Sequence, residues 1–188
     1  MTVVGCRRET PIERGVREFR ARQESRIAHA RLQTALFRPM TDAQMVVANR
    51  KEGLGLGIRP EKIALSVGEP LKLHLAFENV AARGPVSATT CQGFSIGSED
   101  EETMMSTSVA VRFACPEEDW NRDNHVALRR GELKSAELST GETKLIFRHP
   151  GDYIVIAGWQ AFRTRDGMFQ RGDEYAVMAS NRVLITVR

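Results

Sequence analysis

The first fifty residues contain no lysine, the chain has no run of eighteen apolar residues, and cysteine occurs only three times. The missing apolar run excludes a helix that spans a bilayer by itself. Cysteines confined to positions 6, 91 and 115 exclude a disulfide-dense scaffold and any Cys-x-x-Cys motif. The four histidines, His29, His74, His125 and His149, never stand at ligand spacing, and no His-Glu-x-x-His run occurs, so neither a metal nor a cofactor is expected. A formal charge of +3 is too small for a general nucleic-acid footprint.

Catalytic patterns are equally scarce. The run Gly93-Phe94-Ser95-Ile96-Gly97 has the letters of a nucleophile elbow, but such an elbow needs a strand-to-helix turn, and no helical pattern follows it. Glycines 53, 55 and 57 lack the spacing and the following Lys-Ser/Thr of a phosphate loop and read as a glycine-rich approach to a first strand. The acidic clusters at 98–102 and 117–123 do not follow EF-hand spacing and read as solvated loops. No enzyme is expected.

What is present divides into two parts. Residues 1–50 carry ten arginines against five acids, a charge of +5, so the remainder holds about −2. A basic segment of this kind favours an anionic partner or membrane headgroups. Ile12, Val16, Phe19, Gln23 and Ile27 recur at helical spacing from Thr10 to about Leu36. Thr10, Pro11 and Glu13 stand where an N-cap, an N1 proline and a capping-box glutamate belong. Thr41 and Gln44 repeat the signal for a shorter second helix, which the glycines after Lys51 end.

After Gly53 the period becomes two. Leu71, Leu73, Leu75 and Phe77 alternate with Lys72, His74, Ala76 and Glu78, as a half-buried strand requires. Val109, Val111, Phe113 and Cys115 do the same, as do Leu145 with Phe147, and Val183 with Ile185 and Val187. The expected fold class is mainly β, an antiparallel β-sandwich over 53–188 preceded by an Arg-rich helical extension over 1–52.

The stretch His149-Pro150-Gly151-Asp152-Tyr153, followed by Ile154-Val155-Ile156-Ala157-Gly158-Trp159, resembles the tyrosine-corner region of immunoglobulin-like domains. With the segments at 66–79 and 180–188, it is similar to the immunoglobulin-like sandwiches of bacterial cell-envelope proteins. If Tyr153, Val155, Ala157 and Trp159 face the core, Ile154 and Ile156 face outward. A covering helix or a partner protein is then expected there.

Val3-Val4-Gly5-Cys6 resembles the lipobox of bacterial lipoproteins. That resemblance implies acylation at Cys6, with the apolar core of an export signal upstream of Met1. Cys91 and Cys115 are then either a disulfide, worth about 3 kcal/mol through the loop it closes, or two buried free thiols. A tight hairpin turning near position 100 would set Cys91 opposite about position 109, so a bridge to Cys115 needs a wider loop or a bond between the sheets. The expectation for function is a non-catalytic, lipid-anchored accessory or structural subunit of the cell envelope. It would dock on a membrane protein complex, with its N-terminus against the membrane surface and no nucleic-acid partner. The alternative is a soluble periplasmic or extracellular binding module or inhibitor that uses loop residues such as Trp120.

Overall fold

Two threonines open the two helices. In α1 (Pro11–Phe37), Thr10 Oγ1 accepts from the Glu13 N–H at 3.2 Å, and Glu13 Oε2 accepts from the Thr10 N–H at 2.8 Å. Thr41 and Gln44 reciprocate in the same way at the start of α2 (Asp42–Ala48). Each box satisfies amide donors that a helix start leaves orphaned. The computed structural model describes residues 9–51, 53–79, 86–89, 94–100, 106–111, 125–139, 147–163 and 175–188.

The strands form two sheets. The first joins β1 (Arg50–Lys51), β2 (Leu54–Pro60), β4 (Lys72–Asn79) and β9 (Leu133–Ser139), in the order β1-β2-β4-β9, with every pairing antiparallel. The second is organised on β10 (Gly151–Arg163). One side of β10 pairs with β12 (Val183–Val187) and then with β11 (Tyr175–Ala179). Its other side pairs with β6 (Phe94–Asp100) and then with β5 (Val86–Thr89). Outside these lie β7 (Ser106–Val111) on β6, β8 (His125–Leu128) on β5, and β3 (Ala64–Leu65) on β12.

The β3–β12 pairing is parallel, a departure from the all-antiparallel expectation. More than a hundred residues separate these strands, so no hairpin imposes a direction. In the β6–β7 pair the register sets Ile96 opposite Val109, and Cys91 lies outside the described residues. Ser95 lies inside β6, an antiparallel strand, and not at a strand-to-helix turn.

The main core draws on both sheets. Leu54, Leu56, Ile58, Leu71, Leu73, Leu75 and Phe77 of the first meet Tyr153, Val155, Ala157, Met178, Val183, Ile185 and Val187 of the second. Phe147 joins them, its ring centroid 4.6 Å from that of Tyr153. The outer face of β4 is not left to water as strict alternation implies. Ala76 is fully buried there beneath Phe37, Met45 and Val46 at the α1–α2 corner.

Glycine makes that seat. Gly55 and Gly57 lie within β2, rather than on an approach to it, and leave its outer face bare. A Cβ on Gly57 would stand 2.6 Å from Met45 Cβ, and one on Gly55 the same distance from the Val46 carbonyl oxygen. The helix therefore rests directly on the strand backbone.

A run of short polar residues ties the sheets together. Asn181, buried between β11 and β12, accepts from the Ile58 N–H at 2.8 Å through Oδ1 and donates to the Ile58 carbonyl at 2.9 Å through Nδ2. Asn49 Nδ2 donates to the carbonyls of Leu56 and Ala179. Ser180 Oγ accepts from the Ala157 N–H at 2.9 Å.

Candidate functional site

Two features of the surface carry functional groups. One is the outer face of the first sheet beside α2. There Asp42 is a hub: His74 Nε2 lies 2.8 Å from its Oδ1, and Arg59 Nη2 lies 3.4 Å from the same oxygen. Arg59 also donates to the Met40 carbonyl, tying the α1–α2 connection to β2. His74 Nδ1 points toward Glu137, 4.0 Å away. Burial pushes the Asp42 carboxyl up, but hydrogen bonds from His74 and Ser135, with the charges of His74 and Arg59, outweigh it and hold the group below its usual 3.8.

Next to this hub, a cleft of about 500 Å³ is bordered by Arg59, Glu61, Lys72, His74, Glu137 and Ser139. Lys72 is matched by Glu61 at 3.6 Å. Cations and carboxylates are thus interleaved, and the lining does not present a field of one sign. Glu137 is 91% exposed, so its contact with His74 contributes little. The Asp42–His74–Arg59 arrangement acts as a clamp that fixes α2 on the sheet.

A pH dependence follows from Asp42. A carboxyl whose folded pKa is depressed stabilises the fold above its unfolded value, and that contribution is lost as pH falls through the lower folded value. Asp42→Asn is therefore expected to flatten the acid limb of stability. The wild type should lose more than the variant between about pH 5 and about pH 3, in urea midpoints taken across that range. Parallel limbs would show that Asp42 is not the group responsible.

The second feature is α1 itself. Its last three turns are seated: Ala30, Ile154 and Leu184 form a buried cluster, with Ile27 packed against it. Thr34 Oγ1 accepts from the Leu184 N–H at 2.8 Å, and Gln33 Oε1 accepts from the Arg182 N–H at 2.6 Å. Among the described residues, the first half has no such seat. Ile12, Val16 and Phe19 are 79%, 48% and 48% exposed, although they belong to the same stripe as Ile27 and Ala30. Among the described residues, no helix is long and apolar enough to cross a membrane.

The sequence-derived candidates are dispersed. Ile154 is 3% exposed beneath Ala30 of α1, whereas Ile156, two residues on, lies outside that cluster and is partly buried. Cys6, Cys91, Cys115 and Trp120 lie outside the described residues. Among the described residues, no group of three His, Cys, Asp or Glu side chains could hold a metal ion. Sequence reasoning missed the Asp42–His74–Arg59 hub. Asp42 had a signal only as the residue after a cap, and His74 only as an outward position of β4, 32 positions away.

No protein-family model matches the chain. No curated protein matches it. Among solved structures, it is similar over 72% of its length to a CARDB domain from Pyrococcus furiosus crystallised with di-metal ions, with 87% of that chain covered, 10% identity and a TM-score of 0.36. It is similar over 73% to the C-terminal domain of Wzt, with 75% of that chain covered, 9% identity and a TM-score of 0.40. A third likeness, over 84% of this chain but only 36% of the other, is to the alkylpurine DNA glycosylase AlkC of Pseudomonas fluorescens bound to DNA, at 9% identity and a TM-score of 0.42.

Proposed function

We propose that this chain is a non-catalytic protein of the bacterial cell envelope. It is an immunoglobulin-like antiparallel β-sandwich with a helical N-terminal arm, and it serves as an accessory or structural subunit that docks on a membrane protein complex. The arm carries the reading: an apolar stripe that begins on the protein's own sheet continues outward as the exposed Ile12, Val16 and Phe19, with no described residue packed over them. Contiguous exposed apolar surface of this kind marks an interaction site.

Two antiparallel-rich sheets over a shared core support the sandwich. So does the Tyr153 hydroxyl, which donates to the His149 carbonyl at 2.9 Å in the manner of a tyrosine corner. An acyl chain on Cys6 would supply one of the two signals that stable anchoring takes. Cys91 and Cys115 would be bridged in that oxidising compartment.

Cell fractionation with intact-mass analysis of the native protein tests this. The expected result is a chain that sediments with membranes and carries lipid mass on Cys6. A chain wholly in the soluble fraction with Cys6 unmodified would overturn the reading in favour of a soluble binding module.

A further inference from the structure

We propose that the projecting half of α1 pairs with the same segment of a second copy of this chain, antiparallel about a two-fold axis. The proposal rests on the reading of α1 as a docking element and names its occupant. Three observations lead to it.

The first is charge. The basic excess of the N-terminal region is small on the projecting part of α1, where Arg14, Arg17, Arg20, Arg22 and Arg26 stand against Glu13, Glu18 and Glu24, and Glu9 just ahead of the helix pairs with Arg14 and Arg17. A helix that lies on anionic lipid carries Lys and Arg across its polar face. A mixture of both signs is instead able to complement itself, as an isologous interface requires.

The second is register. Ile12, Val16, Phe19 and Gln23 follow the alternating spacing of four and three that forms a helix–helix seam. Set antiparallel with Val16 opposite Phe19 of the other copy, the seam also places Ile12 opposite Gln23. Glu13 and Arg20, which flank it, then come within one turn of each other on both sides of the axis. Among the described residues, Glu13 hydrogen-bonds through Oε2 alone, at the Thr10 cap, and Arg20 makes no ion pair. Gly15, beside the seam, has nothing within 4 Å of where a Cβ would stand, so a second helix can approach closely there.

The third is clearance. Packing of α1 on its own sheet begins at Ile27. In this register position 27 falls opposite position 8, before the partner's helix starts at Pro11. The two bodies therefore lie at opposite ends of the helix pair, whereas a parallel pair would bring both bodies to one end.

Sedimentation equilibrium of the purified full chain, from micromolar to about 100 μM, tests the proposal in the range where a modest interface is populated. The expected result is a monomer–dimer equilibrium that Val16→Glu with Phe19→Glu abolishes while circular dichroism stays unchanged. Arg20→Glu should weaken dimerisation by about tenfold, since two symmetry-related pairs become repulsive, and adding Glu13→Arg should recover it. A chain monomeric throughout, or a dimer indifferent to the Val16 and Phe19 changes, would overturn the proposal. So would binding of the monomer to phosphatidylglycerol vesicles through those residues. A monomer that still sediments with cell membranes would leave the docking reading standing and remove this one, and a dimer confined to the soluble fraction would do the reverse.

Discussion

Asn181→Leu is expected to destabilise the fold by about 3 kcal/mol, more than its size suggests, because two backbone groups lose their partners at once. β2 is covered on its β1 side only at Leu54 and Gly55, since β1 is two residues long. Beyond that point the strand would present open N–H and C=O groups inside the protein. Asn181 takes both groups of Ile58, its carboxamide standing in for the peptide of a missing neighbour strand, and Asn49 takes the Leu56 carbonyl. A buried donor or acceptor left unpaired costs about 1–3 kcal/mol, and leucine strands one of each. Asn181→Asp keeps an acceptor for the Ile58 N–H but buries a carboxylate with one oxygen against the Ile58 carbonyl, so at neutral pH it should cost at least as much as leucine. Urea unfolding of the three proteins gives the ranking; a leucine variant within about 1 kcal/mol of wild type would show that water takes over both groups.

Gly57→Ala is expected to cost about 3 kcal/mol, the upper part of the usual range for overpacking. The added methyl would sit 2.6 Å from Met45 Cβ, a distance at which the helix has to move. Met45 is fully buried against Phe37 and Ala76, so α2 has no slack on its far side. The displacement should also be readable chemically. Asp42 begins α2 and reaches His74 at 2.8 Å, so a shifted helix should lose the acid-limb dependence assigned to Asp42 along with thermal stability. A Gly57→Ala protein that melts within a degree or two of wild type, with the acid limb intact, would contradict the direct seating of helix on strand.

The two effects share a property that bears on what could be read from the chain alone. Both helix starts were legible because a capping box is local, three residues from threonine to glutamate or glutamine. β4, β10 and β12 were legible because alternation states which side chains share a face, and it separated Ile154 from Tyr153 and Val155 before any packing partner was known. Alternation is silent on what lies across a face. It therefore left Ala76 facing water, and it gave Gly55 and Gly57 no reason to lie inside a strand. Asn181 stands among Ser180, Asn181 and Arg182, a composition that reads as a turn, yet its partners are 123 positions earlier. The Asp42–His74–Arg59 hub was hidden for the same reason: three elements each supply one group, and no spacing within any of them reports the meeting.

The seat of α1 also sets an order of events during synthesis. Gln33 and Thr34 receive their hydrogen bonds from Arg182 and Leu184, 149 and 150 positions later. The helix leaves the ribosome well before the strand it lies on. At ordinary elongation rates of about 5–20 residues per second, the part of the stripe that this strand covers, from Ile27 to Thr34, stays open for roughly 7–30 seconds in each nascent chain. For that interval the segment is a target for a holding chaperone, and neighbouring nascent chains on one message expose the same surface to each other before either has a body to carry it.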